Sequence, residues 1–255
     1  QSALSDMGSV AVAFSGGVDS ALLLDVAHEV LGARVRALTA RIRSMPEAEL
    51  AGTRAFCAER GIRHIIIEQD ELAIEGFAEN PPDRCYICKK ALFSKMLEIA
   101  AAEGCSVLVD GSNTDDEGDY RPGMQALAEL GIISPLRAAG LAKADIRALS
   151  RERGLATWDK PSAACLSSRI PYGEAITPEK LARIEAAEDY LHALGFPHVR
   201  VRSHGNLARI ELPVEDIERA AGFRREIPAQ FKQLGFAYIA LDLEGFRSGS
   251  MNEIL

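Results

Sequence analysis

Ser15-Gly16-Gly17-Val18-Asp19-Ser20 stands between an apolar run, Val10-Ala11-Val12-Ala13-Phe14, and a helical pattern, Ala21-Leu22-Leu23-Leu24-Asp25-Val26-Ala27. A buried strand enters a Gly-rich turn, and the turn opens a helix. This context makes the turn an anion cradle, because N–H groups at a helix N-terminus face the ligand and the helix dipole favours negative charge. Gly16 and Gly17 let the backbone approach phosphate oxygens with no Cβ in the way. Ser15 and Ser20 add hydroxyl donors. Asp19 is a carboxylate beside phosphates, which makes sense with Mg²⁺ between them. An ordinary Gly-containing strand-to-helix turn is the plain alternative; the agreement of all six positions and both flanks counts against it.

Outward from this turn, strand and helix signals alternate through the first two-thirds of the chain. Residues 34–40 read as a strand and 46–60 as a helix, with Pro46 placed for a first turn and Gly61 at the stop. The β-branched run 62–67 reads as a buried strand, 84–103 as a long helix closed by Gly104, and 106–110 as another buried strand ending in the polar loop 111–123. A short strand at 132–133 and a helix over 143–153, stopped by Gly154, complete the series. Strands alternating with helices predict an α/β fold with a parallel sheet covered on both faces. Ligands in such sheets bind outside the C-terminal strand ends, where residues 15–20 and 110–116 both fall. The pattern changes after Pro171-Tyr172-Gly173. A charged helix over 177–194 precedes alternating strands at 199–202 and 208–212, a helical region ending near Gly235, and a last strand at 237–241. The expected domains are therefore 1–173 and a small α+β domain, 174–255, for substrate binding or oligomerisation.

The bulk numbers exclude several classes. The 255 residues are 47% hydrophobic and 26% charged, as in an ordinary soluble globular protein with a sizeable core. There is no apolar run of transmembrane length and no basic, apolar leader, so no membrane role is expected. The first residue is Gln1 rather than Met, which points to a trimmed start and a short helix missing ahead of Ser9. A net charge of −8 argues against a protein whose main task is gripping nucleic acid. Five Cys in a cytoplasm-like composition read as metal or redox chemistry, not as a disulfide framework.

The cysteines form the second constellation. Cys85 and Cys88, in Arg84-Cys85-Tyr86-Ile87-Cys88-Lys89-Lys90, are spaced to put both thiolates on one metal centre. Cys165 lies in Pro161-Ser162-Ala163-Ala164-Cys165-Leu166-Ser167-Ser168-Arg169. Three thiolates and no obvious fourth ligand suit a [4Fe-4S] cluster with one open iron; a structural zinc site would want four ligands. Zinc or a redox pair, and unligated thiols, remain as alternatives. Cys57 and Cys105 read as apolar fillers.

No Lys follows the glycines, so the turn is not the phosphate loop of kinases and GTPases. It resembles instead the PP-loop of ATP pyrophosphatases, the adenine nucleotide alpha-hydrolase-like fold. Taken with residues 84–90, Asp110-Gly111-Ser112-Asn113-Thr114-Asp115-Asp116, Ser134-Pro135-Leu136 and the run 160–172, the chain resembles the LarE family over essentially its whole length. The resemblance implies an ATP-dependent sulfur transferase of nickel-pincer nucleotide cofactor synthesis. Such an enzyme adenylylates a carboxylate of pyridinium-3,5-biscarboxylic acid mononucleotide and replaces the activated oxygen with sulfur, giving AMP and pyrophosphate. It implies ATP and Mg²⁺ at Ser15, Gly16, Gly17, Asp19 and Ser20, a sulfide donor as partner, and a cytoplasmic homo-oligomer, a hexamer by the family pattern. The family supplies sulfur in two ways. One consumes a single Cys, leaving dehydroalanine; the other uses three Cys and a [4Fe-4S] cluster. Cys85, Cys88 and Cys165 resemble the second type, with Ala164 at the position of the consumed Cys. Sacrificial Cys165 is the runner-up, and tRNA thiolation by a PP-loop enzyme the nearest rival activity. A nucleotide-binding sensor would leave the three Cys without a task.

The resemblance further makes Ser168 and Arg169, beside Cys165, contacts to the substrate phosphate and, with Asp19 and Cys165, the catalytic set. Arg200 and Arg202 alternate onto one face of a strand, so both guanidiniums can converge on a phosphate; a solvated strand face is the plain alternative. Glu188 is a candidate to hold one of these arginines, or else a helix-surface charge. Asp110 and Asn113 at a strand end suit adenosine or the metal. Arg121 is a candidate to face substrate. Asp115, Asp116, Glu117 and Asp119 read mostly as a solvated acidic loop, and Trp158 and the five His as structural.

Overall fold

The computed structural model describes residues 1–116, 122–161, 164–247 and 249–253. The chain forms two compact units, Gln1–Ile74 with Asp83–Ala163, and Glu75–Pro82 with Ala164–Leu255.

In the first unit, strands β1 (Val10–Ala13), β2 (Val35–Arg41), β3 (Arg63–Glu68) and β4 (Val107–Val109) are all parallel, in the order β3-β2-β1-β4. The helices are α1 (Ser2–Asp6), α2 (Val18–Leu31), α3 (Glu47–Arg60), α4 (Arg84–Ala102), α5 (Pro122–Glu129), α6 (Pro135–Ala138) and α7 (Lys143–Glu152). Successive strand side chains point to opposite faces, so a strand covered on both faces is apolar throughout. β1 shows this directly. Val10 and Val12 pack with Leu22, Leu23 and Leu24 of α2 and Ile146 of α7. Ala11 packs on the other face with Phe93 and Met96 of α4 and Leu127 of α5. Each such buried Val, Leu, Ile, Phe or Met side chain contributes about 1.5–3 kcal/mol. The parallel sheet covered on both faces is thus as the sequence predicts.

Details differ from the sequence reading. The segment 62–67 does not form a fully buried strand. β3 is the sheet edge, and His64, Ile65 and Ile66 are only half-buried because no further strand covers them. Pro46 is the N-cap of α3, not part of its first turn, with extended ψ of 139°. Ile133 makes a single parallel bridge to Val109 instead of a strand. α5 and α6 have no counterpart in the sequence pattern; each begins with a Pro, and Pro122 falls in the stretch 111–123 that reads as a polar loop.

The second unit contains α8 (Pro178–Ala193), β5 (Arg200–His204), β6 (Leu207–Glu211), α9 (Ile217–Gly222), α10 (Glu226–Gln233) and β7 (Tyr238–Leu241). Thr177 caps α8 by accepting the Lys180 N–H at 3.3 Å. β5 and β6 are an antiparallel hairpin, β7 adds parallel to β6, and the order is β5-β6-β7. Val201, Ala208 and Ile210 face one core with Leu191, Ile227 and Phe231 from the helices. The alternation then places Arg200, Arg202, Arg209 and Glu211 on the opposite face, with Arg200 beside Glu211 and Arg202 beside Arg209. Among the described residues no helix is long and apolar enough to cross a membrane.

Candidate functional site

The Gly-rich loop is held at the C-terminal ends of β1 and β2. Phe14 N–H bonds Leu38 O at 2.8 Å, and the Thr39 hydroxyl donates to Phe14 O at 2.7 Å. The His64 ring meets that same hydroxyl at 2.8 Å. Burial, and secondarily Arg54, pushes its pKa down to about 4, so the ring is neutral and structural. Gly16 has φ of +76°, and a Cβ there would lie 2.9 Å from Thr53 Cγ2, so only glycine fits. Gly17 is the extended N-cap of α2, a conformation open to other residues. Ser15 and Ser20 hydroxyls are 3.2 Å apart, and Ser20 also donates to Gly17 O at 3.2 Å.

Asp19, in the first turn of α2, accepts from Asn113 Nδ2 at 3.1 Å and is ion-paired to Lys143 Nζ. A second lysine, Lys160, donates to Gly16 O at 3.0 Å and to Glu49 at 2.7 Å. Neither lysine was singled out from the sequence. Lys143 opens a helical pattern and Lys160 a family run, and no local spacing ties either to a loop more than a hundred residues earlier.

The loop after β4 packs directly on the start of α2: a Cβ on Gly111 would sit 2.9 Å from Ser20 N. The buried Asp110 carboxylate accepts the Ser134 hydroxyl at 2.5 Å and also the Ser112 hydroxyl. It is therefore committed to bracing this loop. Asp115 and Asp116 are not simply solvated. They accept the backbone N–H of Lys143 and of Asn113, at 3.0 and 2.9 Å, tying residues 113–116 to the start of α7. Arg121, Glu117 and Asp119 lie outside the described residues.

The second unit carries the arginines. A 3-10 turn, Leu166–Arg169, follows the half-buried Cys165. Arg169 forms a fork with Glu188, at 2.8 and 3.0 Å, and donates to Ala164 O and Ser168 Oγ, both at 2.9 Å. Its guanidinium is engaged within the protein, and Glu188, buried on α8, also accepts the Val201 N–H at 2.9 Å. Glu188 thus serves Arg169 and the β5 backbone instead of Arg200 or Arg202. Arg202 is 2% exposed; it bonds Ser168 O at 2.9 Å, Glu211 at 2.7 Å and Ser250 Oγ at 3.0 Å. Arg200 is different. It is 7% exposed and stacked on Phe246 at 4.4 Å; among the described residues it makes no hydrogen bond or close ion pair, and Glu211 and Glu188 act on it only through longer-range attraction. Burial, then Arg169 and Arg202, pushes its pKa down to about 10. The strand face is therefore not a solvated one.

Cys85 and Cys88 lie in the first two turns of α4, half-buried and three residues apart on the same side of the helix. Among the described residues no three His, Cys, Asp or Glu side chains are gathered as a metal site. Burial pushes the Cys57 thiol up to about 12 and raises that of Cys105, which suits inert fillers.

A parallel sheet whose first strand runs into Ser-Gly-Gly-Val-Asp-Ser at a helix start defines a PP-loop ATP pyrophosphatase, an ATP-dependent enzyme. Comparison narrows this. The chain is 42% identical over 254 residues to the pyridinium-3,5-bisthiocarboxylic acid mononucleotide synthase of Lactiplantibacillus plantarum, covering 99% of this chain and 92% of that one. It is 46% identical over 246 residues to an uncharacterised Synechocystis protein, 96% of this chain and 92% of the other. A Methanocaldococcus jannaschii protein, also uncharacterised, is 30% identical over 94% of this chain and 91% of its own. No protein-family model matches the chain. The chain belongs to the LarE-like family of PP-loop enzymes.

Proposed function

We propose that this enzyme adenylylates a carboxylate of pyridinium-3,5-biscarboxylic acid mononucleotide and exchanges the activated oxygen for sulfur. The observation that carries the substrate half is Arg200: a buried guanidinium that is hydrogen-bonded to no carboxylate among the described residues is suited to an anion, and the substrate phosphate is the anion that fits. The reading rests also on the full-length similarity to a synthase of the corresponding bisthiocarboxylic product. In the first step the substrate carboxylate attacks the α-phosphorus of ATP, and pyrophosphate leaves. The loop N–H groups and the hydroxyls of Ser15 and Ser20 stabilise the charge that builds on it, each preorganised donor being worth about 3 kcal/mol. Asp19 is the residue that would hold Mg²⁺, its carboxylate lying at the anion-binding end of α2, where the ion would neutralise the departing phosphates. Asn113 orients that carboxylate. Arg200 holds the substrate phosphate, Arg202 lies behind it and adds its charge while braced by Glu211 and Ser250, and the Arg169–Glu188 fork fixes the backbone around Cys165 and Ser168. In the second step hydrosulfide adds to the acyl carbon of the adenylate, and AMP departs with the carbonyl restored.

For the sulfur source the donor set carries the reading, not a gathered site: Cys85, Cys88 and Cys165 are the thiols that would hold a [4Fe-4S] cluster. Half-exposed thiols are the donor chemistry such a group needs. When bound, it would supply an open iron position for hydrosulfide. A second reading draws on Cys165 itself. Its carbonyl is gripped by Ser168 N–H at 3.0 Å and by Arg169 at 3.4 Å, which would steady a thiol that is consumed. The reading also makes the enzyme a cytoplasmic homo-oligomer, which sedimentation velocity measures directly.

The test is an anaerobic assay with substrate, ATP, Mg²⁺ and sulfide, followed by mass spectrometry of product and protein. Thiocarboxylate, AMP and pyrophosphate should form together; their absence refutes the function. Repeated turnover with bound iron and intact Cys165 supports the cluster. Single turnover with a loss of about 34 Da at Cys165, the mass of H₂S, supports the sacrificial route instead.

A further inference from the structure

The first-unit loop lacks the lysine that phosphate-binding loops of kinases carry, yet two lysines reach it from later in the chain. Their settings differ. Lys160 is locked: it holds the Gly16 carbonyl at 3.0 Å and is matched by Glu49 at 2.7 Å, so its charge is spent on loop shape. Among the described residues Lys143 has Asp19 alone for its ammonium. Its root is fixed, because its own N–H bonds Asp115 at 3.0 Å, while Thr114 N–H and hydroxyl both bond Leu141 O at 3.1 Å. Its flexible four-carbon stem is not, and its side chain keeps 32% of its surface exposed.

We propose that Lys143 is a phosphate-binding residue of the ATP site, held in reserve by Asp19 until the nucleotide arrives. This rests on the ATP reading of the loop. A carboxylate that takes a divalent cation holds an ammonium less strongly, because the two cations repel each other across it. Lys143 then turns to the nearest negative charge, and at the mouth of this loop that is the β- and γ-phosphate pair. The exchange moves one positive charge from an internal partner onto the leaving pyrophosphate, without opening the loop. It also explains why the fold fastens residues 113–116 to the first residue of α7: the anchoring sets where Lys143 can reach.

The test is calorimetric titration of the full chain with ATP, inorganic pyrophosphate and AMP, each with Mg²⁺, for wild type, Lys143→Gln, Lys143→Arg and Lys160→Gln. Circular dichroism checks that each is folded. Lys143→Gln should bind ATP and pyrophosphate about tenfold more weakly, the scale of one lost charge-assisted contact. Its affinity for AMP, which lacks the two phosphates, should stay within about twofold, since a surface substitution that touches no bound group is nearly neutral. Lys143→Arg should retain most of the pyrophosphate affinity. Equal affinities for wild type and Lys143→Gln overturn the proposal, as does an equal loss for AMP, which would make Lys143 a structural counter-ion. A wild type that binds neither ATP nor pyrophosphate overturns the ATP reading itself and the proposal with it. A wild type that binds both but makes no thiocarboxylate leaves Lys143 in place and removes only the sulfur chemistry.

Discussion

Gly111 has no Cβ, and nothing else would fit. A methyl there would stand 2.9 Å from Ser20 N and 3.1 Å from Ser20 Cα, both backbone atoms of the first turn of α2. Gly111→Ala must push that turn, and with it the loop donors, away from β4. The expected cost is about 1–3 kcal/mol of stability, with weaker ATP binding; calorimetry and thermal melting measure both, and unchanged values refute the argument. His64 makes a second prediction at this scale. Its folded pKa lies at about 4 against an ordinary 6.5, so the unfolded chain takes up the proton first as pH falls. Its contribution is intact above pH 6.5 and is lost progressively between 6.5 and about 4. His64→Gln should flatten the fall of melting temperature across that window; an unchanged slope would count against it. Residue roles were partly legible. The donors and Asp19 could be read because a helix start has one geometry. The lysine on Asp19 could not, since only folding brings position 143 to position 19.

The element that decides the second unit is the 3-10 turn Leu166–Arg169 against α8 and β5. Glu188 accepts both arms of Arg169 and the Val201 N–H, so one buried carboxylate joins three segments. Glu188→Gln keeps the shape and strands a buried guanidinium, which typically costs about 3–5 kcal/mol. Urea denaturation should show that loss, and Cys165 should alkylate faster as the turn loosens; an alkylation rate equal to wild type would mean the fork does not fix the turn. The alternation of β5 was readable, and correctly put Arg200 and Arg202 on one face. Its burial was not. The cover comes from Phe246 and Ser250, distant in sequence and without periodicity of their own. For the same reason 62–67 read as a buried strand: composition records apolar content, whereas edge position depends on which strands pair.

At the scale of the whole chain, each unit has its own core. One holds the sheet between α2 with α7 and α4 with α5; the other closes α8, α9 and α10 on β5, β6 and β7. Phe231 is fully buried in the second core, and Phe231→Ala should cost about 3–5 kcal/mol there. Scanning calorimetry should show that loss as a lowered melting temperature; an unchanged melting temperature would contradict the burial of Phe231. The amino-acid sequence alone determined the class of fold, the position of the nucleotide loop and the family, because periodicity, turn chemistry and a strand–glycine–helix junction are local and survive without coordinates. The tertiary structure alone decided which charges stand alone and which are matched. Arg169 finds Glu188, Asp19 finds Lys143, and Arg200 makes no close ion pair among the described residues, since pairing energies depend on distance and burial, and neither is a property of position along the chain.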